Sequence, residues 1–185
     1  MKKLWSIAII IIVTSLLSGC FGKSSNNQTL GNKDFGFVDV KNTDWKPLEL
    51  SEKSEEMLST LYFDENTNSI ELALYAKEDI TASATLENIA EDIQSYISPA
   101  TSEGQPDSSA ESKAVIENVE FGKNKYKALA VTVNYISDLS KEEITARAWI
   151  FLDENNLYRY VILDATKDTV DELSKQIIKS FRLEA

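Results

Sequence analysis

From Ile144 to Leu163 the chain carries apolar side chains at odd and even positions alike: Trp149 and Phe151 alternate with Ala148 and Ile150, and Tyr160 and Ile162 with Val161 and Leu163. Successive side chains of a strand point to opposite faces, so such strands are apolar on both sides. A sheet of this kind needs a covering layer on each face. Between the two runs, Asp153-Glu154-Asn155-Asn156 reads as a turn, because Asn tolerates a positive φ, and the pair is then an antiparallel hairpin. Two segments can supply the covers. Leu86, Ile89, Ala90, Ile93 and Ile97 recur at helical spacing, with Ser83 or Thr81 as the N-cap and Pro99 marking the end. Val170, Leu173, Ile177 and Phe181 recur likewise, with Asp168 as the N-cap.

The remaining chain reads as further strands. Phe35 to Val40 alternates, a short extended piece runs from Trp45 to Leu50, and Met57 to Phe63 and Ile70 to Ala76 flank a turn at Asp64 to Asn68. Ala114 to Phe121 and Tyr126 to Ile136 flank Gly122-Lys123-Asn124, a hairpin signal. Residues 98 to 113 form a polar loop without periodicity, long for a compact domain. The order is three or four strands, a helix, four strands, a helix. It predicts an α+β fold in which a mostly antiparallel sheet of about six to seven strands is sandwiched between helices, an α/β/α arrangement.

The N-terminus is of another kind. Lys2 and Lys3 precede an uncharged apolar run from Leu4 to Leu17. As a helix, that run is about 21 Å long, short of a ~30 Å hydrocarbon core, so it reads as a secretory signal. Leu17-Ser18-Gly19-Cys20 follows, with small residues before the one Cys of the chain. It resembles the lipobox of bacterial lipoproteins. The resemblance implies diacylglyceryl transfer to the Cys20 sulfur and cleavage between Gly19 and Cys20, with N-acylation of Cys20 as a further option. Two acyl chains hold a protein stably at a membrane where one does not. The expected organisation is a lipoprotein signal peptide over 1–19, a lipidated Cys20 with a flexible tether over 20–33, and a single globular domain over 34–185. The expected location is the outer face of the cytoplasmic membrane.

Charge and missing residue types exclude several functions. The formal net charge is −11; removing residues 1–19 takes Lys2 and Lys3 from the 19 basic residues, leaving 17 against 30 acidic ones, a balance of −13. Such a domain is unsuited to nucleic acid and is repelled by anionic headgroups. There is no His, and a single Cys allows no intrachain disulfide. Ser-His and Cys-His catalysis are therefore excluded, and no Gly-rich phosphate loop is present. Asp64 to Ser69 resembles half of a calcium loop, but Ser69 and Tyr75 stand where that loop needs Gly and Glu, so a turn is the better reading. No catalytic residue, metal ligand or cofactor is expected. Trp45 and Trp149 are read as core anchors. Tyr75, Tyr126, Tyr135, Tyr158 and Tyr160 are read as packing, with a groove lined by them as the alternative.

The order of elements, the opening Asp34-Phe35-Gly36-Phe37-Val38-Asp39-Val40 with Trp45 after it, and the closing strand Tyr158 to Leu163 with a helix ending Lys179-Ser180-Phe181-Arg182-Leu183 are similar to the PsbP-like superfamily, which includes the Ran-binding Mog family. The resemblance covers residues 34 to 185. It implies a domain that binds or scaffolds, with no shared active site. The expected function is thus a non-catalytic binding or adaptor module of the cell envelope. It is expected to be a monomer held by its lipid and to meet an envelope protein or a cationic wall component. The alternatives are a carboxylate- or metal-dependent hydrolase, marked by a cleft with two converging carboxylates of raised pKa, and a carrier of a small ligand or metal.

Overall fold

The computed structural model describes residues 27–41, 44–48, 59–75, 85–98, 114–136 and 141–184. Within them, β1 (Asn27–Asn32) and β2 (Gly36–Lys41) form an antiparallel hairpin of their own. A seven-stranded sheet contains β3 (Lys46–Pro47), β4 (Ser59–Phe63), β5 (Ser69–Leu74), β6 (Val115–Phe121), β7 (Tyr126–Ile136), β8 (Glu143–Leu152) and β9 (Tyr158–Thr166). Its order is β3-β4-β5-β9-β8-β7-β6, and every neighbouring pair is antiparallel. Helix α1 (Leu86–Ile97) lies between β5 and β6 in the chain, and α2 (Lys167–Ser180) follows β9. The last strand is the keystone. It enters between β5 and β8 and so joins the early strands to the late ones.

The two-faced pattern becomes two cores. On one side Trp149, Phe151, Val161 and Leu163 pack with Val170, Leu173 and Ile177 of α2, with Val38 and Val40 of β2 and with Trp45. Phe121 and Phe181 complete an aromatic cluster there, with centroids 5.0 Å apart and Phe121 5.6 Å from Trp149. Such pairs are worth about 0.5–1.5 kcal/mol each beyond area burial. On the other side Ile89, Ala90 and Ile93 of α1 pack on Leu129, Val131, Ala148, Ile150 and Ile162. The fold is α+β, with a helix on each face of a mostly antiparallel sheet. No helix among the described residues is long and apolar enough to cross a membrane.

Three details correct the reading of the sequence. Residues 27–32, placed in the tether, form β1, which pairs with β2 from Asn27↔Lys41 to Asn32↔Gly36. One apolar side chain suffices to seat it, since Leu30 is buried against the first core. Polar groups do the rest: Gln28 donates to the Trp45 carbonyl at 2.8 Å and accepts from its N–H at 3.1 Å, and the Tyr62 hydroxyl accepts a 3.0 Å bond from Gly31 N–H. The cap of α1 is Thr85, whose hydroxyl accepts from Asn88 N–H while the Asn88 side chain accepts from Thr85 N–H. Thr81 and Ser83 lie outside the described residues, as do Cys20, Pro99 and 99–113 of the polar loop. The cap position of α2 is Thr166; Asp168 sits in the first turn, where its charge favours the helix dipole.

The hairpin β1–β2 and α2 share the covering of one face. On the other face, among the described residues, α1 packs mainly on β7 and β8. A helix is ~10 Å across and strands are spaced ~4.8 Å apart, so one helix spans about two strands. The sheet surface beyond its end is where the cleft lies.

Candidate functional site

The cleft has a volume of about 630 Å³, within the range of small-molecule sites. Its floor is the sheet: Leu61 on β4, Ser69 and Glu71 on β5, Ile162 and Asp164 on β9, Ala146 on β8 and Tyr135 on β7. Its wall is the last turn of α1, Ser95 to Ser98. Strand register explains the convergence. Ser69 pairs with Asp164, Glu71 with Ile162 and Ala146 with Asp164, so all of these side chains share one face. Glu71 and Asp164 are diagonal neighbours on adjacent strands, a relation that places Cα atoms roughly 7–8 Å apart. The room comes from short side chains: Ala146, Ser69, Ser95 and Ser98 stand where longer ones would fill the space.

Hydroxyls surround both carboxyls. Tyr135 donates to Asp164 Oδ2 at 2.8 Å, and Glu71 is bonded by Ser59 and Tyr96. Burial raises the Asp164 pKa, partly offset by the Tyr135 bond, and burial likewise raises that of Glu71 against the pull of Ser59 and Tyr96. The phenols hold their protons more tightly too. The Glu71 charge raises Tyr96, with burial adding to it; burial first and the Asp164 charge second raise Tyr135. Tyr160 beside them is raised mainly by burial, with Glu71 contributing. No Lys or Arg lines the cleft among the described residues, and α1 has no basic residue in its last turn to offset its carboxyl-end dipole.

Elsewhere the fold gives such carboxylates an arginine. Asp153 meets Arg159 at 2.7 Å, and Asp39 meets Arg182 at 2.9 Å. Asp153 also accepts from the N–H groups of Asn155 and Leu157, which fixes the β8–β9 turn expected at Asp153 to Asn156. Asp64 does the same work between β4 and β5, accepting from the N–H groups of Asn66 and Asn68 and from the Asn68 amide.

The structure divides the five strand tyrosines. Tyr135 lines the cleft. Tyr160, Tyr158 and Tyr75 pack against the α1-side core, and the Tyr75 hydroxyl ties β5 to α1 by a 2.7 Å bond to Asp92. Tyr126 belongs to the other core and bonds Glu154 at 2.6 Å; burial and that bond push its pKa up to about 12. Trp45 and Trp149 are buried core anchors as expected. Sequence reasoning missed Glu71, Asp164 and Tyr96. The available signal was weak: an acidic residue at an inward-facing strand position in each of two apolar runs.

A comparison with protein-family models and with curated proteins finds no match to this chain.

Proposed function

We propose that this protein is a lipid-anchored binding module of the bacterial cell envelope, held at the outer face of the cytoplasmic membrane by acyl chains on Cys20, and that the cleft between the sheet and the end of α1 receives its ligand. The anchor rests on Leu17-Ser18-Gly19-Cys20 and the charged-then-apolar segment before it. The single observation that carries the binding role is the cleft itself, a built space of about 630 Å³ in which Glu71, Asp164, Tyr96 and Tyr135 converge over an apolar floor. A domain with acyl chains at one end and a concave site on one sheet face can hold a partner or small ligand near the membrane without chemistry. The layout that resembles the PsbP-like superfamily points the same way. The test is two-part. Cys20→Ala is expected to move the protein from membranes to the soluble fraction. Glu71→Gln together with Tyr135→Phe is expected to abolish capture of envelope components in cells by a crosslinker placed at Ser95. Membrane retention of a Cys20→Ala protein processed to mature size sinks the anchor, and unchanged capture sinks the cleft.

One observation favours a second reading, a carboxylate-dependent hydrolase: Glu71 and Asp164 face one cleft with pKa values raised by burial, the state a general acid needs. Turnover of glycoside or phosphoester substrates that is lost in Glu71→Gln and in Asp164→Asn would establish it in place of the binding role.

A further inference from the structure

Among the described residues, the cleft carboxyls lack the cation that Asp153 and Asp39 have. Asp153 is paired with Arg159 and Asp39 with Arg182, whereas the groups around Glu71 and Asp164 are neutral hydroxyls. A partly buried carboxylate without a cation is costly, and a cation brought by a ligand removes that cost. The last turn of α1 adds the negative end of a helix dipole, with no basic side chain there to answer it. Tyr96, 65% exposed, and Tyr135 offer aromatic rings at the same place, and aromatic faces attract cations. Leu61, Ile97, Ala146 and Ile162 provide apolar surface for a hydrocarbon body.

We infer that the cleft takes an organic cation, a primary ammonium group carried on a compact apolar or partly apolar body, with the ammonium between Glu71 and Asp164 and the body over Leu61 and Ile162. The assignment rests on the cleft being the binding site. A bare divalent ion is the poorer occupant: among the described residues no group of three or more Cys, Asp or Glu side chains is placed to hold one, and calcium or magnesium wants six or more oxygen ligands. An ammonium needs three acceptors, which two carboxylates supply.

Binding such a cation favours the charged carboxylates and therefore releases protons in the acid range. The affinity rises with pH until both carboxyls are ionised. The groups facing them are Tyr96 from α1, Tyr135 from β7, Tyr160 from β9 and the Ser59 hydroxyl from β4; Tyr75 lies beyond Tyr160, and β8 brings the uncharged Ala146. The Tyr96, Tyr135 and Tyr160 phenols are shifted upward, so none of these competes with the carboxyls for this titration.

The test is calorimetric titration of the full chain, purified as its host processes it and held in a zwitterionic detergent, with hexanediamine and with hexanediol. The two probes differ in charge and share a hydrocarbon body. The expected result is saturable binding of the diamine, no saturable heat from the diol, and proton release seen as a buffer-dependent heat at mildly acid pH. Glu71→Gln and Asp164→Asn should each weaken the diamine about tenfold, the size of one charge-assisted contact. Glu91→Gln, on the exposed side of α1, should leave it unchanged. Diol binding as tight as diamine binding, or diamine binding that survives both substitutions, overturns the cation assignment while leaving the cleft a ligand site. Absence of saturable diamine binding overturns the assignment, and so does tighter binding of calcium or magnesium ions.

Discussion

The Tyr135 hydroxyl donates a 2.8 Å hydrogen bond to Asp164 across the intervening strand β8, over the small side chain of Ala146. The bond stabilises the ionised carboxylate and opposes the effect of burial. Tyr135→Phe should therefore raise the Asp164 pKa further. Carboxyl carbon shifts followed by NMR through an acid titration measure it; an unchanged or lower value would show that the hydroxyl does not act on Asp164.

Stability should respond to the cleft carboxyls with a definite sign. Folding raises the pKa of Glu71 and Asp164, so the folded state binds protons more tightly than the unfolded chain. Their contribution is greatest in acid and is lost as pH rises from the unfolded carboxyl range, about 4, through the higher folded values. Glu71→Gln and Asp164→Asn remove that loss and should raise the unfolding midpoint at neutral pH, with the gain shrinking in acid. Asp39 runs the other way: hydrogen bonds from Thr29 and Arg182 outweigh its burial and lower its pKa, so its contribution is lost as pH falls. Neutral-pH midpoints of either cleft variant below that of the parent would contradict this assignment.

The buried pair Asp153–Arg159 is the costliest place to remove one partner. The Asp153 side chain is fully buried, and Arg159 also donates to the Asp34 carbonyl at 2.7 Å. Asp153→Ala should cost about 3–5 kcal/mol, since it strands a buried guanidinium and frees the turn. Arg159→Met added to Asp153→Ala should cost less than the sum of the two single changes. Urea unfolding of all four proteins gives the coupling, and strict additivity would refute it.

Gly36 opens β2 with φ +97°, and a Cβ there would stand 2.7 Å from the Phe181 ring. Both the backbone region and the contact oppose a side chain. Gly36→Ala should destabilise by about 1–3 kcal/mol. A neutral effect in chemical denaturation would mean that the hairpin does not need this approach to α2.

The hairpin is also clasped from outside. Arg182 grips both Asp39 oxygens, at 2.9 and 3.1 Å, and its backbone exchanges hydrogen bonds with Phe37. Arg182→Lys, which keeps the charge but loses the two-pronged geometry, should cost about 0.5–1 kcal/mol. Faster hydrogen exchange in β1 and β2 is the expected local sign, and exchange confined to other elements would refute the clasp.

Local pattern carried much of the fold. The helix over Leu86–Ile97 was legible in its apolar spacing, and so were the β8–β9 hairpin and the need for two covering layers, because burial on a helix face or strand face repeats at a fixed period. Strand β1 was not, because one Leu among Asn, Gln, Thr and Gly gives no period; it is held by Gln28 against Trp45 and by pairing with β2. The caps at Thr85 and Thr166 were displaced from their expected positions because several Ser, Thr and Asp side chains near each helix start have the same local competence.

By itself the sequence determined the α+β class, the two-sided sheet, and the chemistry that the chain cannot perform without His or a second Cys. The tertiary structure alone decided the site. Glu71 and Asp164 lie far apart in the chain, each looking like one more acid among 30. They meet because β9 inserts beside β5, a long-range pairing that no local period encodes, and the last turn of α1 walls the cleft they share.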